Sequence, residues 1–126
     1  MSVQSDIFTT LGNYANLSAF VAARIYPDVA PQDIGAAVAR VVWQEISDVP
    51  QNGLSGHNSL DNYRIQVTSW ANSGTLSRRV DEQVRAAMAA ASAFSSLCVD
   101  NRSLGYEPDT KLHGIQSDFS IWWRTP

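Results

Sequence analysis

The sequence predicts an α+β fold, with one antiparallel or mixed β-sheet of about four strands and helices packed on one face. The apolar residues of 76–91 recur at helical spacing. Those of 62–71 and 115–124 alternate with polar residues, as in strands that bury one face. The 126 residues fit one domain, 1–126, which is large enough to bury a real core.

The N-terminal part of the chain is predicted to be helical. Residues 2–24 fit two short helices, with Ser5 as the N-cap of the first and Asn16 as the N-cap of the second. Extended chain follows at Ile25–Pro27, because the residue before a proline avoids the helical region. Residues 28–37 contain proline and glycine and are predicted to form a loop.

The middle of the chain contains two predicted strands and the longest predicted loop. Val38–Ser47 is rich in β-formers, although both of its faces mix apolar and polar side chains. Residues 48–61 concentrate Pro, Gly, Asn and Ser, which predicts a mobile loop with Leu54 as its apolar anchor. No helix separates the strands 38–47 and 62–71, so an antiparallel pairing is expected.

The helix 76–91 is the strongest predicted element, and Ser73–Thr75 supplies its cap. Its apolar stripe is expected to pack on the apolar face of strand 62–71. The stripe consists of Leu76, Val80, Val84 and Met88. The charged residues of the helix fall mostly on its opposite side, and they are Arg78, Arg79, Asp81, Glu82 and Arg85.

The last quarter of the chain is predicted to contain three extended segments and one turn. The segments are 94–100, 104–109 and 115–124, and the turn is 101–103. Trp122 and Trp123 are adjacent on the terminal strand, so their side chains must point to opposite faces. One of the two should therefore leave the core and meet solvent or a partner.

The sequence contains no clear pattern of catalytic or metal-binding residues. His57 lies near Ser55 and Asp61, but a triad is defined by geometry, and polar residues in a turn-rich loop cluster by composition alone. His113 is predicted to be a solvated turn residue, and Cys98 a buried, inert thiol in a strand. We therefore expect no enzyme activity, no catalytic residue, no cofactor and no metal.

Composition argues against several other classes of function. The net charge is −3 and the only basic doublet is Arg78–Arg79, so specific nucleic-acid binding is not expected. No apolar run approaches the roughly 20 residues that span a bilayer, and no signal-peptide pattern occurs at the N-terminus. The single cysteine excludes an internal disulfide.

After an amphipathic N-terminal helix, seven segments occur in an order that carries a family resemblance over nearly the whole chain. They are Ala23–Pro27, Pro31–Gln32, Glu45–Ser47, Gly53–Gly56, Tyr63–Trp70, Val84–Met88 and Ser117–Ile121. The ordered set resembles the tail completion proteins of long-tailed bacteriophages, also described as tail terminators or tail-to-head joining proteins. The sequence departs from the family pattern at 33–37 (DIGAA) and at the Trp122–Trp123 ending.

The resemblance implies a structural virion protein of the tail or neck, made in the host cytoplasm and without catalytic residues. It implies a ring, usually a hexamer, that caps the head-proximal end of the tail tube and joins the tail to the head. The implied partners are further copies of the chain, the tail tube protein and the head–tail connector or neck protein, without a membrane. The alternatives are another neck adaptor, a minor tail protein or a small α+β enzyme.

A ring requires a heterologous interface, in which two different patches of each subunit match. The helix 76–91, the loop 48–61 and the terminal tryptophan pair are the segments expected to supply them. The candidate interface residues are Leu54, Arg78, Arg79, Glu82, Trp122 and Trp123.

Overall fold

Three helices and five strands form an α+β fold in the computed structural model. The structure describes residues 2–22, 24–28, 39–53, 56–108 and 111–124. It describes the side chains of these residues except those of 50–59. The elements in chain order are α1 (Val3–Gly12), α2 (Ala15–Val21), β1 (Ile25–Pro27), β2 (Arg40–Gly53), β3 (Gly56–Ala71), α3 (Gly74–Ala89), β4 (Ser95–Glu107) and β5 (Leu112–Arg124).

The strands form one open mixed sheet in the order β1-β2-β3-β5-β4. β1 runs parallel to β2, whereas the β2–β3, β3–β5 and β5–β4 pairs are antiparallel, as expected for β2 and β3. The sheet has five strands rather than about four because the short β1 adds to β2 through Val41–Trp43. Most of the predicted loop 28–37 lies outside the described residues.

The helical N-terminus is confirmed, but its caps differ from the prediction. Ser2, not Ser5, is the N-cap of α1. The two serines form a capping box, in which the Ser5 N–H donates to Ser2 Oγ at 3.1 Å and the Ser2 N–H donates to Ser5 Oγ at 3.2 Å. Tyr14 precedes α2 without a side-chain cap bond, so Asn16 does not cap that helix.

Most of the predicted loop 48–61 is strand, and that prediction is wrong. β2 continues to Gly53 and β3 begins at Gly56, so the two strands form a long hairpin. Residues that favour turns locally are held extended here by the cross-strand ladder, which overrides a weak local preference. Leu54, the predicted anchor, lies outside the described residues.

β4 is a single strand where two segments and a turn were predicted. Residues 101–103 continue the pairing with β5, and irregularities in the register fall on either side of them. Two side-chain hydrogen bonds hold the centre of the strand, since Asn101 Nδ2 donates to Asp81 Oδ2 at 2.9 Å and to Ser117 Oγ at 2.7 Å. Cys98 is exposed rather than buried, because β4 lies at the edge of the sheet.

One hydrophobic core joins side chains of all three helices with alternate residues of the strands. α3 contacts β3, β5 and β4. Val80, Val84 and Met88 of the predicted stripe are buried, whereas Leu76 is only partly buried against the same cluster. On the sheet the buried partners include Tyr63, Ile65, Val67, Phe119 and Ile121. The helix stripe and the apolar strand face therefore meet as predicted.

Candidate interaction surfaces

The adjacent tryptophans of β5 point to opposite faces of the sheet, as predicted. Trp123 is 7% exposed and its Nε1 donates to Asp6 Oδ2 of α1 at 2.7 Å, with the Tyr63 ring edge-on at 6.3 Å. Trp122 is 41% exposed. Trp123 therefore belongs to the core and is no longer an interface candidate, whereas Trp122 is available for contact.

Trp122 belongs to a group of exposed apolar side chains at one end of the sheet. Its cross-strand neighbours are Asn62 on β3 and Ser95 on β4, and Val49 of β2 lies opposite Asn62. Val49 and Leu97 are 50% and 67% exposed. Apolar side chains grouped on a surface mark sites of contact with other proteins more often than scattered ones do. We call Val49, Leu97 and Trp122 the outer patch.

The polar side of α3 presents charges of both signs. Arg79 and Glu82 are exposed, as predicted. Arg78 is half-buried, because its Nη1 donates to Asn101 Oδ1 of β4 at 2.9 Å. The part of α3 that carries Arg78 therefore lies directly beside the edge strand β4.

Asp81 is not part of the polar side of α3, contrary to the prediction. It is fully buried and accepts from three donors. Ser117 Oγ donates to its Oδ1 at 2.6 Å, while Arg85 Nε at 3.0 Å and Asn101 Nδ2 at 2.9 Å donate to its Oδ2. A Ser–Asp pair can serve in catalysis, but Ser117 is itself 0% exposed. The network instead fastens α3 to β4 and β5.

The exposed edges of the sheet carry register irregularities. Pairing skips one residue between Glu45 and Ser47 on β2, and one each between Cys98 and Asp100 and between Ser103 and Gly105 on β4. The pairing of β2 is irregular again between Pro50 and Asn52. The skipped residues whose side chains the structure describes are Ile46, Val99 and Leu104, and they are 51%, 44% and 43% exposed. A skipped residue has no partner across the ladder, so the sheet does not cover its side chain.

Sequence reasoning missed these aliphatic residues. An isolated Ile, Val or Leu in a strand pattern predicts a buried side chain, and no local signal in the sequence marks a bulge. The same applies to Val49 and Leu97, whose cross-strand partners Asn62 and Ser120 lie on the side of the sheet opposite the buried Tyr63 and Ile121.

Acidic side chains gather around Tyr63 at the β2 side of the sheet. The pKa of Tyr63 is raised, first by burial and then by the carboxylates of Asp48, Asp61 and Glu45. Glu45 and Asp48 are exposed, and Glu45 Oε2 accepts from Gln4 Nε2 of α1 at 3.1 Å. This edge of the molecule is therefore negatively charged.

The structure describes the side chain of one of the two histidines, His113. His113 is half-buried in β5 with the Tyr106 ring 5.0 Å away, so it is not the solvated turn residue that was predicted. The side chain of His57 lies outside the described residues. Within the described part of the chain, no three His, Cys, Asp or Glu side chains gather closely enough to hold a metal ion. No described helix is long and apolar enough to cross a membrane.

The sequence matches the family described as "Tail completion protein gp17" over residues 5–124. That match covers nearly the whole chain and places it among the structural proteins of bacteriophage tails. The chain belongs to the tail completion protein gp17 family, as the resemblance of its ordered segments indicated.

Solved structures support the fold. A chain from a structure described as "Virion of native gene transfer agent (GTA) particle" is similar, with a TM-score of 0.69 at 16% sequence identity. The similarity covers 98% of this chain and 95% of that chain. A search of curated protein sequences gave no match.

Proposed function

We propose that this protein caps the head-proximal end of a phage tail tube as a ring and joins the tail to the head connector. The match to the tail completion family over residues 5–124 carries this proposal. The surfaces of the chain support it, because they offer contacts to other proteins at several separate places. The outer patch, the polar side of α3 and the two edges of the sheet are such places.

The ring is proposed to have six copies, with each subunit using two different patches. The free protein would remain monomeric until it meets the tube, because a cap that polymerised early would have no free sites for the tube. Trp122 is assigned to contact with a partner, as an exposed tryptophan on an interface contributes more than most residues.

The ring must let DNA pass. Neutralising phosphates releases counterions and holds DNA in place, so a basic lumen would slow passage. The net charge of −3 and the scattering of the nine Lys and Arg residues suit a lumen that does not hold phosphate. We therefore propose that the protein does not bind duplex DNA specifically.

The function is tested in cells that produce tails with and without this protein. Without it, tubes of uncontrolled length that fail to join heads are expected. Tails of normal length that fail to join heads would instead identify a neck adaptor. Tails of normal length that join heads normally would overturn the proposal. Mass photometry of tail tubes mixed with this protein should show a gain in mass equal to about six copies per tube end.

Two matched variants test the role of Trp122. Trp122 and Phe8 are both large aromatic side chains at the surface, 41% and 50% exposed. Trp122→Ala should lower head joining while leaving the fold intact, and Phe8→Ala on α1 should have little effect. Equal loss in both variants would remove Trp122 from the proposed interface.

A further inference from the structure

The two exposed edges of the sheet lie at opposite ends of the strand order β1-β2-β3-β5-β4. β1 pairs with β2 only through Val41–Trp43, so in the described residues Gln44–Val49 have a strand on one side only. β4 pairs with β5 and forms the other edge. Exposed edges of this kind present backbone and side-chain groups to a second chain.

We propose that the β2 edge of one copy docks along the β4 edge of a second copy of this chain. This inference rests on the proposed ring and names the surfaces that build it. Each copy then contacts two neighbours through two unlike patches, which is the heterologous arrangement that a closed ring requires.

Apolar contact is the first argument for this pairing. Ile46 is a skipped residue of the β2 edge and is 51% exposed. Val99 and Leu104 are the skipped residues of the β4 edge and are 44% and 43% exposed. Burying such side chains at an interface removes apolar surface from water and favours association. Both edges therefore gain when they cover each other.

Charge complementarity is the second argument. On the β2 edge, Glu45 pairs with Ile65 and Asp48 with Tyr63, so both acids lie on the same side of the sheet as the core. α3 packs on that same side. At the other edge Arg78 of α3 lies beside β4 through its bond to Asn101. Docking of unlike edges with the sheets in the same orientation brings the acids of one copy towards Arg78 of the next.

Of the other charges on or beside β4, Glu107 is an exposed acid at the end of the strand, and the following ones are paired. Asp100 is paired with Arg102, so the two carry no net charge together. Arg85 is bound to Asp81 inside the molecule. Pairing of two β2 edges would instead bring Glu45 and Asp48 of one copy close to the same acids of the other. This repulsion between like charges disfavours symmetric pairing.

The skipped residues determine whether side chains or backbone groups make the contact between copies. A skipped residue interrupts the regular row of N–H and C=O groups, which protects an edge from pairing with any passing strand. The docking is therefore made by side chains rather than by a continuous backbone ladder. Specificity follows because only an edge with matching charge and apolar residues fits.

Disulfide trapping tests the contact directly. Cys98 is the only cysteine of the chain and is exposed on β4. A second cysteine is placed on the β2 edge as Gln44→Cys, Ile46→Cys or Ser47→Cys in turn, because the docking register is not fixed. Oxidation at high protein concentration traps even a weak contact. At least one variant should give a ladder of dimers, trimers and larger species on non-reducing gels.

Two controls separate the proposed contact from random oxidation. The natural chain has one thiol and cannot exceed a dimer. Adding Cys98→Ser to the ladder-forming variant should also stop the products at dimers. Dimers of either single-thiol chain that form as readily as the ladder would contradict the pairing, because like edges would then meet, and so would the absence of a ladder at all three positions.

Charge reversals test complementarity in the same assay. Asp48→Arg and Arg78→Glu should each lower ladder formation about tenfold, which corresponds to about 1.4 kcal/mol. The two changes combined in one chain should restore it, because each contact again joins opposite charges. Arg64→Glu is the matched control, since Arg64 is exposed on the face opposite Tyr63 and Ile65. An equal loss with Arg64→Glu, or no rescue by the combination, would overturn the inference.

The outcomes distinguish this inference from the proposed function. If tails are still capped by rings while no ladder forms, the ring uses other surfaces and only the edge pairing fails. If the ladder forms while tails made without the protein remain normal, the edge pairing stands and the capping function fails.

Discussion

Single side chains in this protein connect elements that are distant in sequence. Asp81 joins α3 to β4 and β5, and Asp6 joins α1 to β5 through Trp123. Both carboxylates lie in the interior, where an acceptor without donors is costly and one with several donors is stable. These two residues therefore hold together parts of the fold that the chain itself does not connect locally.

Asp81→Ala should destabilise the protein by roughly 3 kcal/mol, because Ser117 and Asn101 would lose Asp81 as their acceptor and Arg85 its partner. The midpoint of chemical denaturation measures the loss. Glu82→Ala, one residue further on the exposed side of α3, should change stability by less than about 0.5 kcal/mol. Similar effects in both variants would show that the network contributes little.

The raised pKa of Tyr63 predicts an effect of alkaline pH. Above about pH 10 an unfolded chain releases the tyrosine proton while the folded chain still holds it. The folded state then binds more protons, so stability falls as the pH rises. Tyr63→Phe should lose less stability than the natural protein between neutral and alkaline pH, as measured by urea unfolding. Parallel pH profiles would count against a perturbed Tyr63.

At the scale of elements, the paired strands depend on close approach at a few positions. Gly114 of β5 lies opposite Trp70 of β3, and the tryptophan ring covers it. A Cβ at position 114 would come within 2.7 Å of Trp70 Cζ3. Gly105, its partner on β4, has a φ of +75°, which a side chain would strain. Positions 105 and 114 therefore both require glycine, the first because of its backbone conformation and the second because of the close Trp70 ring.

Gly114→Ala should destabilise the protein by roughly 1–3 kcal/mol, because the Trp70 ring or the strand must move. Thermal unfolding followed by circular dichroism would detect it. Gly12→Ala is the matched control at the end of α1, where a new Cβ meets nothing within 4 Å. Alanine is the better helix former, so this control should be neutral or slightly stabilising. An unchanged melting temperature in Gly114→Ala would show that Trp70 yields without cost.

At the scale of the whole molecule, the N-terminal helix is part of the core. Val3, Ile7 and Leu11 of α1 belong to the same cluster as the residues of α3 and the sheet. The core is therefore assembled from both ends of the chain, since Trp123 of the last strand bonds to Asp6 of the first helix. A core of this kind folds as a unit.

Ile7→Asp should prevent cooperative folding, because position 7 is 0% exposed and a lone carboxylate there has no partner. Phe8→Asp, at the next position, should leave the protein folded, since Phe8 is 50% exposed. Differential scanning calorimetry distinguishes the two outcomes. A cooperative transition in Ile7→Asp near the natural temperature would show that α1 is not required for the core.

Much of the fold, and the family, could be predicted from periodicity and from the order of a few segments. Periodicity identified α3 and the strands β3 and β5, because an amphipathic pattern records which side of an element is buried. The alternation of Trp122 and Trp123 required opposite faces, and the burial of Trp123 agrees with it. The ordered segments carried the family resemblance, and the match over residues 5–124 confirmed it.

Contacts between residues distant in sequence overrule the local preference for turn, strand or exposure at several positions. The hairpin through 48–53, the continuous β4 and the burial of Asp81 all depend on partners distant in sequence, which local patterns do not contain. The same holds for the exposed edges, because a bulge arises from how two strands pair rather than from either strand alone. Ile46, Val99 and Leu104 are residue types that usually lie in the core, but the strand pairing skips them and leaves them at the surface.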